Sequence, residues 1–198
     1  MKSSLVIILF FAAGITAGLL MNGSDISIGS GMSNYALHFL LFLIGISIGS
    51  DLKVFKIIKK LHFKVLLVPV SVIIGTLSGV AVVSSMISGV TLNECLAIGS
   101  GFGYYSLSSI YITELRGESL GVIALLSNII REVITLIAAP VMLTVFGRLA
   151  PIAAGGATSM DTTLPIITRY SGKDYAVISI FSGTVLTVLV PLMVTLFL

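Results

Sequence analysis

Two carboxylates stand in strongly apolar surroundings. Asp161 lies within Gly155-Gly-Ala-Thr-Ser-Met-Asp-Thr-Thr-Leu-Pro165, among the hydroxyls of Thr158, Ser159, Thr162 and Thr163. Small residues, hydroxyls and Pro weaken a helix there. A carboxylate beside unwound backbone can hold a cation, with hydroxyls and freed carbonyls completing the shell. The plain alternative is a loop Asp at a helix N-cap, facing water. The second acid, Glu132, follows Asn128 and Arg131. Asn128, Arg131 and Glu132 stand at i, i+3 and i+4 and share one helix face, with Thr135 a turn further on. A charge at the centre of a membrane helix costs about 2.5 to 3.5 kcal/mol, so each needs a partner or a task. Mutual neutralisation of Arg131 and Glu132 is one reading. Residues at i and i+1 point about 100° apart, however, so each is free to answer to another helix. A third group is Gly99-Ser-Gly-Phe-Gly103 with Tyr104, Tyr105 and Ser106 behind it. It suits either close helix packing or substrate lining.

The elements that position these groups follow from composition. Of 198 residues, 57% are hydrophobic and 10% charged. A soluble domain carries roughly 25% charged residues, so lipid is the main solvent. A membrane helix needs about 20 largely apolar residues. Runs of that kind cover 4–21, 32–49, 65–87, 95–113, 120–146, 151–167 and 175–198. The sequence therefore predicts an all-α integral membrane protein with about seven transmembrane segments. Two of them are interrupted, around 99–108 and 155–165, as in secondary transporters. The chain reads as a single transmembrane domain over 1–198, with a three-helix unit at 1–88 and a core unit at 94–198. Five lysines lie between Asp51 and Lys64 and dominate the net charge of +3. If every segment crosses, they group with Lys2, Arg116, Arg169 and Lys173, and Arg148 alone falls opposite. The positive-inside rule then puts the amino terminus in the cytoplasm and the carboxyl terminus outside. A full crossing is expected of the sixth segment, because a re-entrant one would move Arg169 and Lys173 to the other side.

Other functions fit less well. The glycine run has no preceding strand and no acidic residue at the spacing a nucleotide fingerprint needs. His38 has no Cys, His or carboxylate at i±3 or i±4, so no metal and no cofactor is expected. An intramembrane aspartyl protease needs two membrane Asp residues, and only Asp161 qualifies. Neither His serves an activated Ser. The lysines suit anionic lipid headgroups, and nothing suggests nucleic acid. Cys95 is the one cysteine, too few for a disulfide framework. The start, Lys2 followed by an apolar run, is read as a retained helix in preference to a signal peptide. Carrier, cation or small-solute channel, and non-transporting membrane scaffold subunit all remain open on these grounds.

The motifs Leu40-Leu-Phe-Leu-Ile-Gly-Ile46, Gly101-Phe-Gly-Tyr-Tyr-Ser-Leu-Ser108, Arg131-Glu132 and Gly156-Ala-Thr-Ser-Met-Asp-Thr-Thr-Leu-Pro165 together resemble the LysO lysine exporter family. The resemblance covers most of the chain. It implies export of L-lysine, and of analogues such as thialysine, across a bacterial inner membrane, with functional membrane acids mapping by motif onto Glu132 and Asp161. Two carboxylates suit the ammonium groups of such a substrate, and proton binding on the return half-cycle would make the carrier an antiporter. Typical members carry a further amino-terminal membrane unit ahead of this region. The resemblance therefore implies a separate small membrane protein as partner. Apart from that, a homo-oligomer is open, because the sequence does not fix the oligomeric state.

Overall fold

A computed structural model describes residues 63–198, together with scattered helical positions between Ala13 and Ile46. Contacts divide the chain into units over Met1–Leu43 and Ile44–Leu198, and the continuous region lies within the second. The first two apolar segments, His38, His62 and the lysine-rich stretch before Phe63 fall largely outside the described residues.

Within 63–198 three helices are long and apolar enough to cross a membrane: α1 (Leu67–Ser84), α4 (Glu118–Phe146) and α7 (Lys173–Phe197). A 3-10 turn, Phe63–Leu66, leads into α1. At 1.5 Å per residue even α1 extends roughly 27 Å, close to the hydrocarbon thickness. The exposed face of α4 carries Ile130, Val133, Ile134, Ile137 and Val141, an apolar stripe suited to lipid. The buried face of α7 repeats through Ser179, Ser182, Leu186, Val190 and Val194 at helical spacing.

The two interrupted segments consist of short pieces. The first is α2 (Leu92–Gly99), a turn, and α3 (Tyr105–Arg116). The second is α5 (Ala150–Gly155), a 3-10 helix (Gly156–Met160) and α6 (Leu164–Ser171). Neither crosses. Arg116 Nη2 donates to the Leu198 carbonyl at 3.1 Å, so α3 ends where α7 ends. Glu94, at the start of α2, lies within electrostatic reach of the same guanidinium. Thus α2 and α3 enter and leave by one face. On the other face, the Arg148 guanidinium lies 5.8 Å from the Tyr175 ring centroid, which joins the approach to α5 with the start of α7. Val68, Ile152 and Ile167 form one buried cluster there, with Tyr175 and Ile178 against it. Thus α5 and α6 also return to the face they left.

This differs from the full crossing expected of the fourth and sixth segments. Among the described residues three helices are long and apolar enough to cross, and the two broken segments form hairpins of opposite direction. Length is the physical reason. Half-helices of 6 to 12 residues reach roughly 9 to 18 Å, far enough for mid-bilayer and no further. The charge grouping changes with it: Arg148 joins Arg169 and Lys173 on one face, and Arg116 lies on the other beside Glu94, Glu114 and Glu118.

Candidate functional site

The hairpin tips meet beside α4. The Ala157 amide donates to the Phe102 carbonyl at 2.8 Å. Two glycines permit this approach. A Cβ on Gly156, whose φ is 61°, would collide with the Phe102 carbonyl oxygen, and one on Gly103, at φ 99°, would stand 2.9 Å from the Gly155 carbonyl. Phe102 itself holds φ at 46° and is wholly buried. A bulky residue there carries roughly 1 to 3 kcal/mol of backbone strain, which burial of the ring and the carbonyl's hydrogen bond offset. Irregular backbone at membrane depth is tolerated where protein covers it.

Two residues of α4 serve the tips. Asn128 Oδ1 accepts from the Gly103 amide at 2.8 Å, and Nδ2 donates to Ala124 at 2.9 Å and to Ile98 at 3.4 Å. Arg131 donates from Nε to the Ala154 carbonyl at 2.8 Å, from Nη2 to Ala153 at 3.1 Å and from Nη1 to Thr76 Oγ1 at 3.3 Å. The last carbonyls of a helix lack intrahelical partners, and a cation is favourable beside them. The guanidinium is spent on the end of α5, and among the described residues no carboxylate pairs with it. Mutual neutralisation with Glu132 is therefore not what the structure holds. Glu132 is half-buried, on the face that also bears Asn128 and Thr135, with no hydrogen-bond partner among the described residues.

Asp161 is exposed at the break between the 3-10 helix and α6. One carboxylate oxygen accepts from the Thr162 amide at 2.6 Å and from its hydroxyl at 3.4 Å. The Tyr104 phenol lies within electrostatic reach of that carboxylate, which brings the Tyr104 end of one hairpin near the acid of the other. Asp161 is not the N-cap of α6; Thr163 occupies that position and its side chain makes no capping bond. The neighbouring hydroxyls differ in role. Ser159 is buried and donates to Gly156 at 2.6 Å and Ser179 at 3.1 Å, while Ser179 Oγ returns a bond to Ser159 at 2.7 Å. Thr158, also buried, donates to Gly155 at 2.9 Å. Thr162 and Ser106 are exposed and Tyr104 and Tyr105 half-buried.

Of the residues singled out from sequence, Asp161, Thr162 and Tyr104 come together, whereas Asn128, Arg131, Thr158 and Ser159 are committed to protein partners. Thr76 and Ser179, the partners of Arg131 and Ser159, were missed. The signal for Ser179 was present: Ser179, Ser182, Thr184 and Thr187 form a hydroxyl stripe in an apolar helix. Thr76 had no such signal. A cavity of about 310 Å³ lies between α1, α2 and α4, lined by Val80, Cys95 and Ile98 with Asn128 and Arg131. Neither acid is among its lining residues.

The sequence profile of the lysine exporter LysO family matches residues 8–198. The chain belongs to the lysine exporter LysO family. Lysine exporter LysO of Escherichia coli K12 is 34% identical over 193 residues, which are 97% of this chain and 62% of that protein. The chain thus spans less than two thirds of that relative. A Haemophilus influenzae protein named as a candidate lysine exporter is 33% identical over 171 residues, 85% of each chain. No solved structure matches. Membership of the LysO family agrees with an integral membrane protein built of apolar helices.

Proposed function

We propose that this chain forms the transport core of an exporter for L-lysine, and analogues such as thialysine, across the bacterial inner membrane in exchange for protons. The observation that carries the reading is a pair of hairpins entering from opposite ends of the helix bundle, whose tips meet beside carboxylates that pair with no cation among the described residues. Discontinuous helices of this kind line solute sites in secondary transporters. Asp161 and Glu132 take the ammonium groups of the substrate on one half-cycle and protons on the other. Thr162, Tyr104, Tyr105 and Ser106 lie on the approach to Asp161. The names of the two relatives support lysine as the cargo.

The face with Arg148, Arg169 and Lys173 is cytoplasmic by the positive-inside rule. On this reading the carboxyl terminus lies outside and the amino terminus in the cytoplasm. A separate small membrane protein supplies the part of the longer relative that lies beyond the match, and the assembly can also be a homo-oligomer.

Reconstituted protein should show saturable counterflow of radiolabelled lysine, lost in Asp161→Asn and Glu132→Gln. Unsaturable current would mean a channel, and tolerance of both substitutions a scaffold. Full-rate export by this chain reconstituted alone would remove the need for a partner.

A further inference from the structure

The geometry points to Asn128 and Arg131 as positioning residues that clasp the two hairpins, one each, and not as ligands of the transported solute. Its consequence for transport rests on the proposed export function; the clasp itself does not.

An asparagine side chain offers one carbonyl and two N–H groups. Asn128 uses the carbonyl on Gly103 and the two N–H groups on Ile98 and Ala124. No donor is left for a solute. Arg131 directs Nε and both terminal nitrogens at Ala154, Ala153 and Thr76. A cation so placed would also repel the ammonium groups of a cationic amino acid.

The placement follows a rule. Asn128 meets the carbonyl end of α2, the half-helix by which the first hairpin enters, and Arg131 meets the carbonyl end of α5, by which the second enters. One turn of α4 separates them. The hairpins enter from opposite faces, so each clasp secures the hairpin of one side. The chemistry differs between them, a neutral amide on the first and a charge with a link to α1 through Thr76 on the second. Because Asn128 and Arg131 bond to different hairpins, one hairpin can move off α4 while the other stays once the Ala157 to Phe102 bond between the tips is broken, which is what alternating access to a central site requires.

Cys95, buried on α2, is a native probe of the first hairpin. The probe for the second is a cysteine introduced on α6 at the fully buried Ile167 (Ile167→Cys) with Cys95→Ala. Both are read in the full chain in proteoliposomes by the rate of maleimide labelling. Asn128→Ala should speed labelling of Cys95 about tenfold and leave the Ile167→Cys probe unchanged, and Arg131→Gln should do the reverse. Arg131→Lys, which keeps the charge but loses the fork, should fall between parent and Arg131→Gln, and is read in its place if Arg131→Gln does not fold. Equal acceleration of both probes by either substitution, or of neither, overturns the clasp. In lysine counterflow the variants should lower the maximal rate and leave KM within about twofold; a KM rise of tenfold or more would make these residues ligands. Failure of the parent to transport lysine sinks the export reading alone, because the labelling arms do not use lysine.

Discussion

Asp161 and Ser159 stand two residues apart and have opposite standing. The Ser159 hydroxyl is locked between Gly156 and Ser179, whereas among the described residues the Asp161 carboxylate meets Thr162 and the field of Tyr104 alone. Buried hydrogen bonds between membrane helices contribute about 0.6 to 1.7 kcal/mol each. Ser159→Ala should therefore lower Tm in detergent by about 2 to 4 °C, the shift expected for ~1 kcal/mol at this size. Asp161→Asn should leave Tm within about 1 °C of the parent and abolish counterflow, since it removes charge but no structural bond. A thermal-shift assay run beside the flux assay separates the two, and a stability loss in Asp161→Asn would make that residue structural. The residue types of both positions were readable in sequence. Their partners were not, because Ser179 is 20 residues away.

At the scale of the element, the hairpin tips depend on backbone that few residues adopt. Gly147 and Gly156 both have positive φ, 86° and 61°. A Cβ at Gly147 would meet nothing within 4 Å, whereas one at Gly156 would drive into the Phe102 carbonyl. Gly147→Ala should cost only the backbone term, roughly 1 to 3 kcal/mol. Gly156→Ala should cost that and the Ala157 to Phe102 bond as well, about 1 kcal/mol more, so its Tm should fall further. Equal Tm values for the pair would show that the tips do not rely on this contact. The interruptions themselves were legible, because Gly, Pro and clustered hydroxyls weaken helices locally. Their direction was not, since a broken span and a hairpin have the same composition.

At the scale of the molecule, the described charges divide mainly by face, with Arg116 among acids and Asp174 among bases. Arg148 and Lys173 flank the second hairpin on one face, and Glu94 and Glu118 flank the first on the other. Single cysteines at Glu94 and Glu118, in a Cys95→Ala background, should react with an impermeant maleimide from outside the cell. Cysteines at Arg148 and Lys173 should react only after the inner face is opened. Labelling of the Glu94 and Glu118 positions from opposite sides would restore a full crossing. On this topology the proposed export would carry a cation out past an acidic rim of Glu94, Glu114 and Glu118, with Arg116 among them. Net attraction at that rim predicts that added salt slows loading from outside in counterflow, by screening over about 10 Å at 0.1 M.

The sequence by itself determined the solvent, the helices and the suspects. With a tenth of its residues charged, this chain cannot cover its helices with polar faces, and run length alone separates spanning pieces from short ones. Glu132 and Asp161 stood out because charge in lipid is expensive wherever the chain goes. Only the tertiary structure decided that the broken segments turn back, that Arg131 holds carbonyls of α5 and not Glu132, and that the tips touch. Those outcomes depend on which ends meet across 22 to 82 residues of chain, as between Arg131 and Ala153 or Arg116 and Leu198. Local composition and periodicity carry no term for such a distance.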